Sequence, residues 1–427
     1  MRQLQTHLSG VAWMAAERVW MLLSGVVVGF AVARSLGPED LGRFSVALAI
    51  SAVLSGLAAA GIDSVLIRRL SIESTDATDD EILAAGAGLR VLGSSACVVL
   101  VGIVSICLFP RSPDIALMAI LIASAGIFRA PEVLSLWLQA RNQYRQAAVG
   151  RTAARICGDI VRIVLIFQQA SALWFACAMT LEGVASAAIF CVVWSRKLAK
   201  PHKFDKRLAS ELFRTGRPVM MSGLASALYA RLDQLVLFHL LGPASNGLYA
   251  AAARVSEAFN VVFLSIGTVA AAHFGRLVGA PAERVSREML IYYRGMTLMG
   301  LALATALSLL AGPIIATAYG REFEDAASIL RIHAWTLALV CMSVAMEPWF
   351  YHHDKVRYFV PKTILSLLCA LPLTFFGTKF FGPQGTAGAI VITYLVSVVF
   401  SNALFPGLRG AFEFQIAGFR ISRSCSR

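Results

Sequence analysis

Twelve apolar windows of helical length run along this 427-residue sequence, and they limit its fold more than any other feature. A helix needs about 20 apolar residues to cross the hydrocarbon core of a membrane. The windows lie near 11–33, 44–62, 86–109, 115–138, 149–168, 173–195, 218–240, 247–271, 295–317, 328–350, 359–380 and 387–406. The connecting segments between them are too short for a soluble domain. The sequence therefore predicts an all-α polytopic membrane protein.

The composition supports this prediction and argues against a soluble enzyme. Apolar residues make up 58% of the chain and charged residues only 15%, against about 25% charged residues in an average soluble domain. Neither a GxGxxG nor a GxxxxGK[ST] nucleotide-binding pattern occurs. The eight cysteines show no CxxC spacing, and we interpret them as core residues, not metal ligands. We expect neither an enzyme nor a cofactor or metal.

The positions of the basic residues predict the orientation in the membrane. With the N-terminus inside, the outer loops hold only Arg34, Arg43, Arg111 and Arg321. Because Lys and Arg concentrate in cytoplasmic loops, both termini are predicted to be cytoplasmic. The net charge of +13 does not indicate nucleic-acid binding, since its most basic segment, 196–217, joins two spans and would face anionic lipid.

A repeated turn divides the sequence into two halves. The pattern L-G-P-x-x-x-G-x-[FY]-x-x-A occurs at 36–47 and again at 241–252. In each copy Gly-Pro ends one helix, and the second Gly permits a tight reversal. We predict two six-helix lobes, 1–195 and 218–406, related by a pseudo-two-fold axis along the membrane normal. A basic cytoplasmic linker, 196–217, joins them, and a cytoplasmic tail, 407–427, follows. Two lobes around a cleft are typical of transporters.

Charged residues within the predicted spans are the candidate functional groups, because a charge at mid-membrane costs about 2.5 to 3.5 kcal/mol. The fifth span places four of them on one helical stripe, namely Arg151, Arg155, Asp159 and Arg162. Three of the four are cations, so at least one is expected to be free for a ligand. Elsewhere, pairs three residues apart share a helix face, and these are Arg129 with Glu132 and Arg254 with Glu257.

A cleft lined by arginines suits an anionic head group, above all a pyrophosphate, which the planar guanidinium binds through two parallel hydrogen bonds. The candidate substrate-binding residues are Arg18, Arg129, Arg155, Arg162, Arg231 and Arg254. The candidate ion-coupling residues are Asp159, Asp233 and Glu257. The alternative interpretation, that these arginines only brace helices, stays open. Lys362, near the end of a span, is expected to extend its ammonium group towards the membrane surface.

Several short stretches resemble the polysaccharide flippases, the O-antigen and exopolysaccharide repeat-unit translocases of the multidrug and oligosaccharidyl-lipid exporter superfamily. These stretches are 33–42, 61–63, 138–144, 222–229, 231–234, 240–243, 247–249, 253–254, Glu257, 320–327 and 385–389. Twelve spans are also typical of this family, whereas the related lipid II flippases usually carry two more.

The resemblance implies a flippase that moves polyprenyl-pyrophosphate-linked oligosaccharide repeat units across the bacterial inner membrane for surface polysaccharide biosynthesis. It implies alternating access driven by an ion gradient, and partners in the polysaccharide assembly machinery. An ion-coupled multidrug or cation antiporter of the same superfamily is the main alternative, although its cleft should be acidic. A membrane polymerase or ligase acting on lipid-linked sugars would need a large outer loop. A purely structural protein has no need of so many charges inside the membrane.

Overall fold

The computed structural model describes residues 2–58, 61–71, 78–197, 204–277 and 279–419, and these residues form helices and turns without any strand. Two compact units divide the chain, Met1–Arg231 and Leu232–Arg427. The boundary between them falls inside a single helix. The prediction of an all-α membrane protein built in two parts is confirmed.

The first unit contains seven helices and the beginning of an eighth. They are α1 (Arg2–Ala58), α2 (Asp63–Leu70), α3 (Asp79–Leu108), α4 (Pro113–Phe128), α5 (Val133–Ala140), α6 (Tyr144–Phe167), α7 (Ala172–Lys197) and α8 (Lys206–Glu257). The start of α3 shows how local sequence sets a boundary. Thr78 Oγ1 accepts from the Glu81 backbone N–H at 3.4 Å, and the Glu81 carboxylate accepts from the Thr78 N–H at 2.8 Å. This reciprocal cap satisfies two amide donors that a helix N-terminus leaves unpaired.

The second unit contains the remainder of α8 and eight further helices. They are α9 (Asn260–Arg276), α10 (Ala282–Leu309), α11 (Ala311–Ala318), α12 (Ala326–His333), α13 (Thr336–His352), α14 (Phe359–Leu395), α15 (Ser401–Leu404) and α16 (Arg409–Phe419). A π-helical turn, Val396–Phe400, lies between α14 and α15. The predicted tail therefore begins with a helix, and the predicted linker is already helical from Lys206 onwards.

Seven helical segments in the described ranges are long and apolar enough to cross a membrane, and a bent pair of helices makes an eighth. Three segments are too long for a single span, namely Ala16–Leu70, Lys206–Arg276 and Val356–Leu404. Each contains a Gly-Pro pair at which the chain leaves the helical conformation, so each counts as two spans. Adding the charged helix α6 gives the twelve spans of the sequence prediction.

The breaks within these long segments lie at Gly-Pro pairs. Gly37 has φ of 72° and Gly242 has φ of 81°, and both belong to the repeated turn found in the sequence. A third Gly-Pro pair behaves in the same way at Gly382, with φ of 64°. Glycine adopts such positive φ values without the steric cost that a Cβ atom imposes. The proline that follows has no backbone N–H, so it cannot donate a hydrogen bond to the preceding helix.

Many large apolar side chains lie on the outside of both units. Phe167 is 84% exposed, Leu309 76% and Val269 71%. A soluble protein rarely exposes such contiguous apolar surface. Hydrocarbon chains solvate these side chains, while the helices satisfy their own backbone hydrogen bonds. The exposure pattern is that of a multi-pass membrane protein.

Lys362 does not extend outwards as the sequence predicts. Its Nζ donates to Asn402 Oδ1 at 2.8 Å and lies 4.6 Å from the centroid of the Phe350 ring. Asn402 is completely buried, and its amide nitrogen donates to the oxygen of Gln415 on α16 at 3.1 Å. This chain of hydrogen bonds ties α14 to α16 and holds the lysine inward.

Candidate functional site

The polar stripe predicted in the fifth span lies on α6, where it contacts α1 and α7 of the first unit. Its members are Arg151, Arg155, Asp159 and Arg162, each three or four residues after the last. This spacing places them on one side of the helix. The stripe is completed by a carboxylate from α7, Glu182.

Three buried side chains form the centre of this site. Arg162 Nη1 donates to Asp159 Oδ1 at 2.8 Å, and Arg162 Nη2 donates to Glu182 Oε2 at 2.5 Å. The exposed fractions are 8% for Arg162, 6% for Asp159 and 7% for Glu182. Buried charges are tolerated when they are paired and hydrogen-bonded. Arg162 is therefore neutralised between two carboxylates and connects α6 to α7.

Two further arginines reach the same carboxylates and stay partly accessible. Arg155 Nε donates to Asp159 Oδ2 at 3.2 Å and to Ser24 Oγ of α1 at 3.3 Å. Arg129 Nη2 donates to Glu182 Oε1 at 2.8 Å. Their side chains are 25% and 40% exposed. We call Arg129, Arg155 and Arg162, with Asp159 and Glu182, the arginine cluster.

The cluster keeps hydrogen-bond donors that its carboxylates do not use. Arg129 Nε is buried and has no hydrogen-bond partner among the described residues. The carboxylate of Glu132 is 4.0 Å away, beyond hydrogen-bond length, and accepts instead from Ser186 Oγ at 2.5 Å. Arg155 Nη1 is 3.8 Å from Glu182. Because Arg129 Nε is buried, the donors that an anionic oxygen can reach belong to the guanidinium of the partly exposed Arg155.

Backbone features let the charged side chains approach one another. At Gly158 of α6, an added Cβ would lie 2.8 Å from Glu182 Oε2 and 3.0 Å from Glu182 Cβ. Arg129 lies at the break between α4 and α5, where the two helices are bent by 44°. Pro131, two residues later, cannot donate a backbone hydrogen bond and so favours this break. The bend brings the guanidinium of Arg129 to Glu182 on α7.

The remaining charged candidates of the first unit lie outside the cluster. Arg151 binds Glu17 of α1 with two hydrogen bonds, at 2.5 and 2.7 Å. Arg18, next to Glu17, is exposed, and no hydrogen bond joins it to the other described residues. Arg231, the last residue of this unit, is half-buried and takes part in further interactions. The structure thus joins Arg129, Arg155, Arg162 and Asp159, and leaves Arg18 apart.

In the second unit the candidate carboxylate Asp233 is held by a tyrosine. Asp233 is 6% exposed, and its Oδ2 accepts a hydrogen bond from the hydroxyl of the fully buried Tyr249. Asp233 Oδ1 accepts from the backbone N–H of Gln234 at 2.8 Å. The ring of His333 packs edge-on against Tyr249 with 5.7 Å between centroids, and His333 Nδ1 is 2.7 Å from Ser256 Oγ.

The other two candidates of this unit lie on the same stretch of α8. Arg254 and Glu257 are both half-buried and take part in hydrogen bonds or electrostatic interactions. Arg254 lies within electrostatic range of Tyr319, and Glu257 within range of Tyr249. The turn of α8 that carries them therefore faces other polar groups of the second unit.

Sequence reasoning missed Glu182 and Ser24. Glu182 is the only charged residue of the window 173–195, and Ser24 is the only hydroxyl residue of the window 11–33. A lone carboxylate in an apolar span is a signal that it has a partner on another helix, because burial without one is costly. That signal is present in the sequence for Glu182, whereas nothing in the sequence marks Ser24.

Solved structures of membrane transporters share this fold. An inward-facing multidrug resistance MATE family transporter of the MOP superfamily matches with a TM-score of 0.72 and 16% identity, covering 94% of this chain and 99% of that one. The lipid II flippase MurJ, in an inward closed conformation, matches with a TM-score of 0.65 and 15% identity, covering 96% of this chain and 90% of that one. A MOP-superfamily transporter from Pyrococcus furiosus, described as having a binding pocket of reverse polarity, matches with a TM-score of 0.64 and 14% identity. The match covers 95% of each chain.

At such low identity these likenesses show the fold and leave the substrate open. No curated protein matches the sequence. The profile of a protein family matches residues 8–273, more than half of the chain, and the description of that family is polysaccharide biosynthesis protein. This range includes all the residues of the arginine cluster. The chain belongs to the polysaccharide biosynthesis protein family, and its fold is that of the MOP-superfamily transporters.

Proposed function

We propose that this protein is a flippase that moves polyprenyl-pyrophosphate-linked oligosaccharide across the bacterial inner membrane. In this proposal, the protein takes part in the biosynthesis of a surface polysaccharide, such as O-antigen, capsule or exopolysaccharide. The proposal also includes cytoplasmic termini, alternating access of the two lobes, and contact with the machinery that assembles the polysaccharide.

The observation that carries the proposal is the arginine cluster. Arg129 and Arg155 approach Asp159 and Glu182 from two helices and keep an accessible side. A pyrophosphate offers several charged oxygens, which guanidinium groups bind with paired, charge-assisted hydrogen bonds. Arg162 contributes differently, because its charge is already shared between two carboxylates. In this proposal Arg129 and Arg155 hold the pyrophosphate, while Arg162 fixes the carboxylates that orient them.

Arg18, Arg231 and Arg254 remain proposed contacts of the same substrate at other stages of its passage. Asp233 remains a proposed ion-coupling residue, since it is buried and accepts a hydrogen bond from the neutral hydroxyl of Tyr249. Asp159 accepts from two arginines, so a proton would have to displace strong charged hydrogen bonds. Glu257 stays a second proposed coupling group, close to Tyr249.

A deletion and complementation experiment in the source bacterium tests the function. We expect the deletion strain to lose surface polysaccharide and to accumulate polyprenyl-linked repeat units on the inner face of the membrane. The wild-type gene should restore both, and Arg155→Ala should restore neither. Arg287→Ala, a change of an exposed arginine on α10, serves as the matched control and should complement fully.

Two outcomes would contradict the proposal. One is normal surface polysaccharide in a clean deletion strain that has no second flippase. The other is a change in drug resistance with normal polysaccharide, which would favour the antiporter alternative. The two carboxylates of the cluster are occupied by arginines, and this argues against binding of an organic cation there.

A further inference from the structure

An apolar pocket of about 430 Å³ lies between α1 and α6, beside the arginine cluster. Its walls are mainly the side chains of Trp13, Trp20, Val149, Ala153 and Ile156. Both tryptophans are partly open, at 41% and 45% exposure, and Ile156 is 37% exposed. Apart from one hydroxyl, on Thr152, the lining offers a single charged residue, Glu17.

The charge at the floor of this pocket is neutralised. Glu17 is 7% exposed and binds Arg151 through both carboxylate oxygens. At the rim, the guanidinium of Arg145 lies 5.2 Å from the centre of the Trp13 ring. The pocket therefore offers hydrocarbon surface inside and a cation at one edge. Sugar hydroxyls buried here would lack hydrogen-bond partners, which is costly, whereas branched hydrocarbon would not.

Along α1 the pocket ends about one helical turn before a residue that contacts the arginine cluster. Trp13 and Trp20 are seven residues apart on α1 and so lie on one side of it. Ser24 follows Trp20 by one turn, about 6 Å along the axis at 1.5 Å per residue, and its Oγ accepts from Arg155 Nε. On α6, Ile156 of the pocket and Arg155 lie at nearly the same height along the helix axis and on neighbouring faces of the helix. At Gly25, an added Cβ would lie 3.6 Å from Arg155 Nη2, an ordinary van der Waals distance, so Arg155 passes close to α1 at this point.

From this proximity we propose that the pocket between α1 and α6 binds the isoprenoid carbons nearest the pyrophosphate of the transported lipid. The inference rests on the proposed function and adds a site for the lipid portion of the substrate. With the pyrophosphate on Arg155, the first carbons of the chain lie against Trp20 and Ile156. Their burial there removes apolar surface from the substrate cleft and fixes the direction in which the chain leaves towards the bilayer.

Photocrosslinking tests this assignment on the full-length protein in nanodiscs of phosphatidylethanolamine and phosphatidylglycerol. The probe is a polyprenyl pyrophosphate without sugars, with a diazirine on the isoprene unit next to the pyrophosphate. We expect peptides containing Trp20 and Ile156 to carry the label. Unlabelled polyprenyl pyrophosphate should displace it, whereas extra phosphatidylglycerol should not.

Two variants change the pocket without touching the arginines. Ala153→Phe fills it, and Trp20→Ala removes one wall. Each should reduce labelling by about tenfold, the effect of losing apolar contact for roughly two methylene groups. Ala188→Phe, an equal change at an exposed site on α7, is the control and should label like the wild type. A thermal unfolding scan shows which variants are folded. One folded pocket variant is sufficient to test the proposal.

Three results would overturn the proposal. Label on other helices, with Arg155→Ala still inactive in cells, would leave the flippase proposal standing and reject this pocket. Displacement by phosphatidylglycerol would identify a phospholipid site instead. Failure of unlabelled polyprenyl pyrophosphate to compete at any position would reject both this inference and the proposed function.

Discussion

Arg162 on α6 and Glu182 on α7 form a buried ion pair, with 2.5 Å between Arg162 Nη2 and Glu182 Oε2. The second oxygen of Glu182 accepts from Arg129, which lies at the break after α4. One carboxylate therefore binds two cations, Arg162 on α6 and Arg129 at the break between α4 and α5. The arrangement makes Glu182 the residue on which the charge balance of the first unit depends most.

Glu182→Ala should strongly reduce the amount of folded protein. It would leave Arg129 and Arg162 without their shared carboxylate, and breaking a buried pair in this way costs about 3 to 5 kcal/mol. Gel filtration and thermal unfolding of the purified protein measure the effect. Glu283→Ala, at an exposed position at the start of α10, should change stability by no more than about 0.5 kcal/mol. Equal stability of the two variants would contradict the central role of Glu182.

Arg155 and Arg162 should respond differently to substitution. Arg155→Ala should abolish export at normal protein levels, because Asp159 keeps its bonds to Arg162 and Ser24. Arg155→Lys should retain partial export, since it keeps the charge but loses the planar pair of donors. Arg162→Ala should instead lower the protein level, because two buried carboxylates lose a cation. Surface polysaccharide and membrane abundance, measured side by side, separate the two roles. Equal loss of protein in both alanine variants would contradict the assignment.

The spans and their reversals could be predicted from the sequence because both depend on local patterns. Apolar windows set the spans, and Gly37-Pro38 and Gly242-Pro243 mark two breaks that the structure contains. The break at Gly382 carries the same Gly-Pro signal without the rest of the repeat. Boundaries were less predictable, as α8 shows by starting at Lys206, well before its apolar window.

The site was predictable only within single helices. The period of a helix fixes which residues of α6 share a stripe, but it says nothing of which side chains other helices contribute. Counting charges on α6 alone leaves Arg162 with one carboxylate that it shares with Arg155, and Glu182 of α7 supplies a second, while Arg129 adds another cation. Lys362 illustrates the same limit, since its partner Asn402 is 40 residues away. Such pairings depend on packing, which one sequence does not contain.

Gly158→Ala should destabilise the protein although alanine favours helices by up to about 1 kcal/mol over glycine. The added Cβ would lie 3.0 Å from Glu182 Cβ, which cannot move as freely as the end of the side chain. We expect a lower unfolding temperature and weaker export. Gly223→Ala on α8, where an added Cβ would meet nothing within 4 Å, is the matched control and should not lower stability. A Gly158→Ala variant as stable as this control would mean that α6 and α7 do not pack as closely as described.

The orientation predicted from the positions of the basic residues can be measured directly. Reporter fusions at Gly37 and Asp205 should report the outer and the cytoplasmic side, respectively. The physical reason is the excess of Lys and Arg in the segments assigned to the cytoplasm. An external location of Asp205, or a cytoplasmic location of Gly37, would show that the predicted topology is wrong.

Asp233→Asn should separate a coupling role from a structural one. The amide of Asn keeps an oxygen that can accept from the Tyr249 hydroxyl, so the contact between them is preserved. The substitution removes the negative charge of the side chain and its ability to take up a proton. If Asp233 couples transport to an ion gradient, the variant should reach normal abundance and bind substrate. Its transport into vesicles should be slow and no longer respond to a proton or sodium gradient.

Tyr249→Phe is the control for this prediction, because it removes the hydroxyl that donates to Asp233 and keeps the carboxylate of Asp233. We expect its transport to keep the response to the gradient, at an altered rate. Loss of folded protein in Asp233→Asn would indicate that the carboxylate neutralises a buried cation instead, since breaking such a pair leaves an uncompensated charge. Full gradient-driven export by Asp233→Asn would exclude Asp233 from coupling and leave Glu257 as the remaining candidate of the second unit.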